Sequence, residues 1–306
     1  MAIPTHGFGN RIRFLASAHA LASLHDCDLR AIWRTTLHMP AVWHDLFWTP
    51  LPEPDDALIV RYGANTFSVR ALRKTMAALP TDSFDKCEIG PSAGHTEDWI
   101  EGVDPHAEPR AVLVIGGHDF RSVRMSSDEH ARSKRDFYRR LVPMPSVAAR
   151  VPDTRGHACV HYRGHGGDID AANGWPFTSP DNALERFVAH VTRLPPDRPL
   201  FVASTSAAAR DRLVAAAAAS VDGLGASSGR AVTTVTPSGA DVRTDFLAEW
   251  ISLTRCASIV GTRGSTFSDE AALAAGVSEE APREVPELGR WRCVSEECRR
   301  VEAARH

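Results

Sequence analysis

The feature that most constrains the fold is a regular alternation of strand-like and helix-like segments in the second half of the chain. Strands are predicted over residues 158–162, 200–203, 231–235 and 258–261, and helices over 181–194, 207–220, 244–255 and 266–275. Because strands joined by helices pair in parallel through right-handed crossovers, this order predicts a doubly wound α/β sheet. A ligand binds such a sheet beyond the carboxyl ends of its strands. The turns that follow the strands are therefore where functional residues are expected.

The first half alternates less regularly and has more polar turns. Helices are predicted over residues 11–25 and 126–141, and strands over 29–33, 57–60 and 111–115, whereas residues 1–4 leave almost no room for a strand. The proline-rich segment 142–155 predicts a linker. With 306 residues, the chain is expected to form two domains or one large α/β unit, and a division at this linker gives residues 1–150 and 151–306.

Charge and composition exclude several classes of protein. Lys and Arg number 35 against 38 Asp and Glu, so the basic footprint of a nucleic-acid binder is missing. No apolar run is long enough to span a membrane, and membrane contact by this chain is not expected. The abrupt start leaves the compartment open between the cytoplasm and a Golgi lumen reached with an anchor that has been trimmed.

The cysteines and the known catalytic motifs narrow the field further. Six cysteines are too few for a disulfide framework, and only Cys293 and Cys298 are close enough in sequence to suggest a disulfide. P-loop, nucleophile-elbow and His-Glu-x-x-His signatures are missing. P-loop kinases, serine hydrolases and zincins are therefore poorly supported.

The first candidate segment is a glycine turn that opens a helix near the start of the chain. It contains Gly7, Gly9, Asn10 and Arg11. Backbone N–H groups at such a turn can approach an anion or a sugar hydroxyl. A simple turn with a helix cap explains the pattern as well, because the third glycine of a dinucleotide fingerprint is missing.

The second candidate segment follows the strand 158–162. Arg163 can hold a phosphate with both arms of its guanidinium, and the glycines after it let the backbone approach a ligand. Two alternatives compete at this segment. The first makes His157, His161, His165 and Asp168 metal ligands; the second makes 168–170 the Asp-x-Asp motif that holds a metal in some glycosyltransferases.

The third candidate segment runs from the strand 258–261 into the last helix. The hydroxyls of Thr262, Ser265 and Thr266, together with the N-terminal amides of that helix, can form a phosphate cradle. The alternative is simple N-capping by Ser265 or Thr266. Upstream, Glu249 lies among apolar residues of the helix 244–255, where a carboxylate should have a partner, unless that face is solvated.

Taken together in this order, the segments resemble the GDP-fucose-dependent fucosyltransferase superfamily, which includes α1,2-, α1,6- and protein O-fucosyltransferases. The resemblance is carried by the glycine–asparagine turn, Trp43-His-Asp-Leu-Phe47, His161-Tyr-Arg163, residues 246–254, Ala257-Ser-Ile-Val-Gly261 and Gly264-Ser-Thr-Phe267. The last motifs are most similar to those of plant xyloglucan fucosyltransferases. These islands cover about a fifth of the chain, and their joint order is more specific than any one of them.

The resemblance implies a GT-B fold, in which two Rossmann-like domains with parallel sheets face each other across a cleft. The donor would bind residues 151–306 and the acceptor mainly residues 1–150, with no metal or other cofactor. Matching positions imply these roles: Arg163 on the donor β-phosphate; His161 and Glu249 on guanine; Ser265 and Thr266 on the diphosphate; Asn10 and Arg11 near the sugar; Thr262, Gly7 and Gly9 as further donor contacts. The implied reaction is transfer of fucose from GDP-fucose to a glycan or glycoprotein hydroxyl, with inversion.

One departure from the family leaves the catalytic base open. Family members commonly carry an acidic residue two or three positions after the arginine, whereas here glycines and His165 precede Asp168. Asp168, Asp170 or His165 could take the acceptor proton, or no side chain does. A transferase using another nucleotide sugar, such as UDP- or GDP-linked arabinose or galactose, and an inactive nucleotide- or glycan-binding module remain alternatives. Acceptor contacts are expected in residues 48–56 and 83–108.

Overall fold

The chain divides into two compact units, Met1–Pro145 and Ser146–His306. The computed structural model describes residues 2–4, 7–24, 26, 28–33, 35–36, 39–51, 85–86, 98–100, 112–117, 119–122, 124–163, 182–222, 230–235, 244–262 and 265–277. The predicted strand 57–60 lies outside these ranges.

Short parallel strands organise the first unit. They are β1 (Ala2–Pro4), β2 (Asp85–Lys86), β3 (Asp98–Ile100), β4 (Val112–Gly116) and β5 (Phe120–Ser122). One sheet has the order β1-β4-β2, and β3 pairs with β5. Strand β4 confirms the prediction of a strand over 111–115.

Strand β1 shows that the expectation for residues 1–4 is wrong. Three residues suffice because both of their edges are paired: Ala2 lies opposite Val114 of β4, and its N–H donates to the Arg30 carbonyl at 2.7 Å. The prediction of a strand over 29–33 is also wrong, because this segment forms no continuous strand pairing in the described structure. Within the described residues of that segment, Ala31 alone pairs, in an isolated bridge with Ala2, because β1 is too short to extend the pairing.

Helices of the first unit pack on these strands. They are α1 (Phe8–Leu24), α2 (Trp43–Leu46) and α3 (Ser127–Arg140), followed at the boundary of the units by α4 (Pro145–Ala148). Helix α1 begins three residues before its predicted start and buries Phe14, whose ring lies 5.1 Å from that of Phe120. Helix α3 confirms the prediction over 126–141 and begins with a capping box between Ser126 and Glu129.

The second unit confirms the predicted alternation of strands and helices. Its elements are β6 (Ala158–Tyr162), α5 (Asn182–Arg193), β7 (Leu200–Ser204), α6 (Ala207–Asp222), β8 (Val232–Thr233), α7 (Asp245–Leu253), β9 (Ser258–Gly261) and α8 (Thr266–Ala275). All strand pairs are parallel, in the order β8-β7-β6-β9. The chain moves outward in one direction from β6 to β8 and then crosses to the other side of β6 for β9. The sheet therefore has a topological switch point between β6 and β9.

The core of the second unit fixes the ends of these strands. Val160, Val202 and Leu213 are completely buried between the sheet and its helices. Gly261, the last residue of β9, lies so close to Ser268 of α8 that a Cβ at this position would clash with the serine side chain. Helix α8 ends, as predicted, at Gly276, which is in the left-handed conformation with φ 66°.

A disulfide that sequence reasoning missed joins β6 to the segment before β9. It links Cys159 and Cys256, whose Cα atoms are 6.1 Å apart although 97 residues separate them in sequence. Sequence spacing carries no signal for this pair, because only the pairing of β6 with β9 brings the two cysteines together. Cys293 and Cys298, the predicted pair, lie outside the described residues.

Candidate functional site

The candidate site is built where β6 and β9 end, at the switch point of the second unit. His161 pairs with Gly261 in the register of the sheet, and the N–H of Thr262 donates to the His161 carbonyl at 3.1 Å. The hydroxyl of Thr262 accepts a hydrogen bond from the N–H of Arg163 at 2.9 Å. Hydrogen bonds therefore join the start of the second candidate segment to the start of the third, at the carboxyl ends of two neighbouring strands.

His161 is a buried imidazole with one nitrogen unsatisfied. The residue is 3% exposed, and its ring stacks on that of Phe267 with 4.9 Å between the centroids. Burial, and then the nearby Arg163 guanidinium, lowers the pKa of His161 to about 3. The ring is therefore neutral near pH 7. Within the described residues its Nδ1 has no hydrogen-bond partner, so this nitrogen can bond to a ligand.

Ser265 places a second unsatisfied polar atom at the beginning of α8. The residue occupies the N-cap position and is 2% exposed, but its side chain makes no capping hydrogen bond. The described residues offer no partner to its Oγ. Ser265 therefore does not follow the N-capping alternative. A buried hydroxyl without a partner is costly, and one at a helix N-terminus is well placed for an anion. Thr266, half-buried, is the first residue of the helix.

Glu249 reaches the carboxyl edge of the same sheet from α7. It is half-buried, and it lies close enough to the backbone of Ser204, the last residue of β7, for that backbone to act to lower its pKa. Burial raises the pKa of Glu249 to about 7, although the attraction of Arg210 opposes that rise. The hydroxyl of Ser204 donates to the Tyr162 carbonyl at 2.9 Å, which connects the Glu249 position to the end of β6.

This arrangement suits an anionic ligand with polar ring edges. The guanidinium of Arg163 and the positive end of the α8 dipole favour negative charge. His161, uncharged near pH 7, and Ser265 add hydrogen-bonding atoms without adding charge. Glu249, which titrates near neutrality, can accept hydrogen bonds from donors on a ligand.

The glycine turn of the first unit is shorter than predicted. Gly7 alone precedes the helix and accepts the first helical hydrogen bond from the N–H of Arg11 at 3.1 Å. Gly9 is buried in the first turn of α1. Asn10 is half-buried, and its Oδ1 accepts a hydrogen bond from Arg13 at 3.2 Å. These residues follow the carboxyl end of β1, where the sheet rule expects a site.

Arg11 points into the first unit. The residue is completely buried, donates to the hydroxyl of Thr36 at 3.0 Å, and lies over the ring of Trp33 at 5.1 Å. Burial lowers its pKa to about 10. This environment gives Arg11 a structural role in the described chain. Its predicted place near a sugar stays a prediction, as do the ligand contacts of the other candidate residues.

Several predicted residues cannot be placed. Asp168, Asp170 and His165, the candidate bases, lie outside the described residues. Within the described ranges, no three His, Cys, Asp or Glu side chains form a group that could hold a metal ion. In that same portion of the chain, no helix has both the length and the apolar character to cross a membrane.

Sequence reasoning gave no role to two residues of the site. Phe267 belongs to a quoted motif, but only the structure shows its ring against His161. Ser204 had no signal at all, because its contacts with Tyr162 and Glu249 arise from the packing of β7 beside β6.

Comparison with known proteins gives a structural likeness only. No family model matches the sequence, and no curated protein matches it. Arabidopsis thaliana FUT1, solved as an arginine-to-lysine mutant in complex with GDP, is 18% identical with a TM-score of 0.54, over 90% of this chain and 68% of that one. Fucosyltransferase NodZ from Bradyrhizobium is 18% identical over 88% and 91% of the two chains, with a TM-score of 0.48. POFUT1 in complex with GDP is 14% identical over 92% and 96%, with a TM-score of 0.42. The likeness to FUT1 confirms the predicted fold class: the chain has an α/β, GT-B fold.

Proposed function

We propose that this protein is an inverting, metal-independent glycosyltransferase that transfers fucose from GDP-fucose to a hydroxyl of a glycan or glycoprotein. The observation that carries the proposal is the meeting of Arg163, Thr262 and the α8 N-terminus at the switch point between β6 and β9. A fold shared with FUT1, which was solved with GDP, supports the choice of nucleotide.

The switch-point residues fit the charge that develops on the leaving group. As the acceptor oxygen bonds to the anomeric carbon, the bond from that carbon to the β-phosphate oxygen breaks, and its electron pair stays on GDP. The acceptor attacks from the face opposite GDP, so the configuration inverts. Arg163 would bind the β-phosphate, while the Ser265 hydroxyl and the α8 N-terminus would stabilise the diphosphate without a cation. The acceptor proton would pass to Asp168, Asp170 or His165, or directly to solvent.

Glu249 and His161 would select the base. Guanine presents an N–H and an amino group along one edge, and a carboxylate can accept hydrogen bonds from both. Uracil has a single N–H, so Glu249 would favour GDP over UDP. Nδ1 of His161, which has no partner within the described chain, would supply a further hydrogen bond to the base.

Ser265 gives the sharpest test of this assignment, because its hydroxyl has no partner in the described chain. Ser265→Ala removes an unsatisfied buried group, so Tm should stay the same or rise. GDP affinity, measured by isothermal titration calorimetry, should fall about tenfold. A variant that binds GDP as well as the wild type would contradict a role for Ser265 in the diphosphate site.

Arg163→Ala extends the same titration to the charged group. A lost charge-assisted contact should weaken GDP binding by roughly 10- to 100-fold and abolish fucose transfer. Arg193→Ala is the matched control, because Arg193 lies exposed in the last turn of α5, the end of the helix that leads to the start of β7. Unchanged transfer by Arg163→Ala would refute the proposal. GDP binding without transfer or donor hydrolysis would instead favour the inactive binding module.

A further inference from the structure

A second candidate site lies in the first unit, away from the carboxyl ends of its strands. A cavity of about 350 Å³ is lined by residues of α1, α3, the segment 28–30 and the segment 49–51. Arg30 is at the amino end of β1, because its carbonyl accepts the Ala2 N–H. His19 is about three turns into α1, which starts beyond the carboxyl end of β1. The cavity therefore opens at the edge of the sheet opposite to the one where nucleotide sites are expected.

Hydrogen bonds hold two walls of this cavity in place. The N–H of Trp48 donates to the Val142 carbonyl at 2.7 Å, and the Val142 N–H donates to the Thr49 hydroxyl at 2.7 Å. That hydroxyl donates in turn to the Arg140 carbonyl at 2.8 Å. The indole N–H of Trp43 donates to the Thr49 carbonyl at 2.8 Å. Because these bonds join segment 48–51 to the end of α3, the cavity is already formed without a ligand.

The lining combines apolar surfaces with polar groups of both signs. Trp43, Phe137, Leu29, Leu51 and Leu141 supply the apolar part. Nη2 of Arg30 and Oδ2 of Asp28 lie 3.7 Å apart, with 51% and 89% of the two side chains exposed. Arg140, also exposed, lines the same cavity. A ligand here meets donors and an acceptor together. A hydroxyl, which both donates and accepts, satisfies such a pair better than a simple anion does, because Asp28 would repel the anion.

The two exposed large apolar residues of the described chain lie beside this cavity. Trp48 is 69% exposed and Val142 is 52% exposed, and each is next in sequence to a lining residue. An exposed indole offers a flat surface on which the C–H face of a sugar ring can lie. We infer that this cavity and Trp48 form an accessory site for a neutral oligosaccharide. The inference rests on the proposed function, because carbohydrate is chosen as the ligand partly on the ground that the protein is a glycosyltransferase.

Oligosaccharide titrations of the full chain test the site without any nucleotide. Cellotetraose, chitotetraose and maltotetraose are titrated separately, and Kd is measured by saturation-transfer NMR. The wild type should bind at least one of them. Trp48→Ala should weaken that binding about tenfold, because the stacking surface is lost. Arg140→Ala should weaken it about fivefold, whereas Arg139→Ala, a change at the surface-exposed neighbour on α3, should leave it unchanged.

Two binding results overturn the inference. One is that no tetrasaccharide binds; the other is that binding persists unchanged in both Trp48→Ala and Arg140→Ala. Concentration-dependent dimers that disappear in Trp48→Ala would also overturn it, because the patch would then be a contact between copies of the chain. GDP-induced stabilisation, measured on the same preparations, distinguishes failure of this inference from failure of the proposed function. Trp48→Ala should respond to GDP like the wild type, and Arg163→Ala should keep its oligosaccharide affinity.

Discussion

At the scale of single residues, Glu249 is the group through which pH should act on the site near neutrality. Its pKa is raised from 4.5 to about 7 by burial, so the folded chain holds a proton that the unfolded chain has released. Stability from this residue should therefore fall as pH rises from about 4.5 to 7 and stay level above that range. Glu249→Gln should flatten this part of the profile of Tm against pH.

The same carboxyl group gives GDP binding a pH dependence of opposite sign. Guanine requires the ionised form, so GDP affinity of the wild type should increase between pH 5.5 and 7.5, and Glu249→Gln should lose the increase. Calorimetric titrations at several pH values measure both effects. A wild-type affinity that does not change over this range would contradict the placing of Glu249 on guanine.

Asp119 is a residue whose loss should strongly destabilise the first unit. Its carboxylate accepts hydrogen bonds from Ser17 Oγ at 2.5 Å, Lys134 Nζ at 3.0 Å and His130 Nε2 at 3.2 Å. Burial acts to raise the pKa of Asp119, but Lys134 and His130 outweigh it and hold the pKa well below its usual range. This stabilisation is present above the ordinary pKa of an aspartate and is lost as pH falls.

Asp119→Asn should lower the free energy of unfolding by about 3–5 kcal/mol, because Lys134, 2% exposed, would lose its ion pair with Asp119 while it stays buried. Urea denaturation at pH 7 measures the loss. Asp136→Asn is the control, since the Asp136–Arg139 pair is exposed and should contribute less than about 1 kcal/mol. Equal losses in the two variants would show that the buried network is not a stabilising unit.

The positions of single residues were predictable where they follow directly after a strand. Arg163, Thr262 and Ser265 were assigned from their positions after strands, and the structure places Arg163 and Thr262 in contact. The surroundings of Arg11 were not predictable, because the Thr36 and Trp33 neighbours that bury it come from a segment with no pattern of its own.

At the scale of elements, the Cys159–Cys256 disulfide should stabilise the second unit. It closes a loop of 97 residues, and such a closure restricts the unfolded chain. Reduction by dithiothreitol should therefore lower the free energy of unfolding by about 2–4 kcal/mol. A double variant, Cys159→Ala with Cys256→Ala, is the control, because its stability should not respond to the reductant. Wild-type stability that is the same in both redox states would contradict a stabilising role.

Helices and strands were predictable where hydrophobic periodicity is strong. The alternation from β6 to α8 agrees with prediction to within a few residues at each end. Strand β1 was not predictable, because a three-residue strand has no period to detect and owes its conformation to β4 and Ala31. The disulfide was missed for the same kind of reason, since its partners meet only through sheet pairing.

At the scale of the whole molecule, the parallel order β8-β7-β6-β9 explains why distant sequence motifs converge. Residues 161–163 and 261–266 are about a hundred positions apart, yet β6 and β9 are neighbours, and their carboxyl ends meet. The order of motifs along the chain predicted the fold class. It could not predict that, within the described residues, Nδ1 of His161 and Oγ of Ser265 lack hydrogen-bond partners, because their surroundings depend on how α8 packs against the sheet.

The measurement that tests the central claim most directly is a thermal-shift comparison of GDP, UDP and ADP, each with EDTA and with Mn²⁺. A nucleotide at 100 times its Kd stabilises the fold that binds it by about 2.7 kcal/mol, or roughly 5 °C in Tm. We predict this rise with GDP alone, unchanged by EDTA. Stabilisation by UDP rather than GDP, or stabilisation that requires Mn²⁺, would contradict the account and make Asp168 and Asp170 candidate metal ligands.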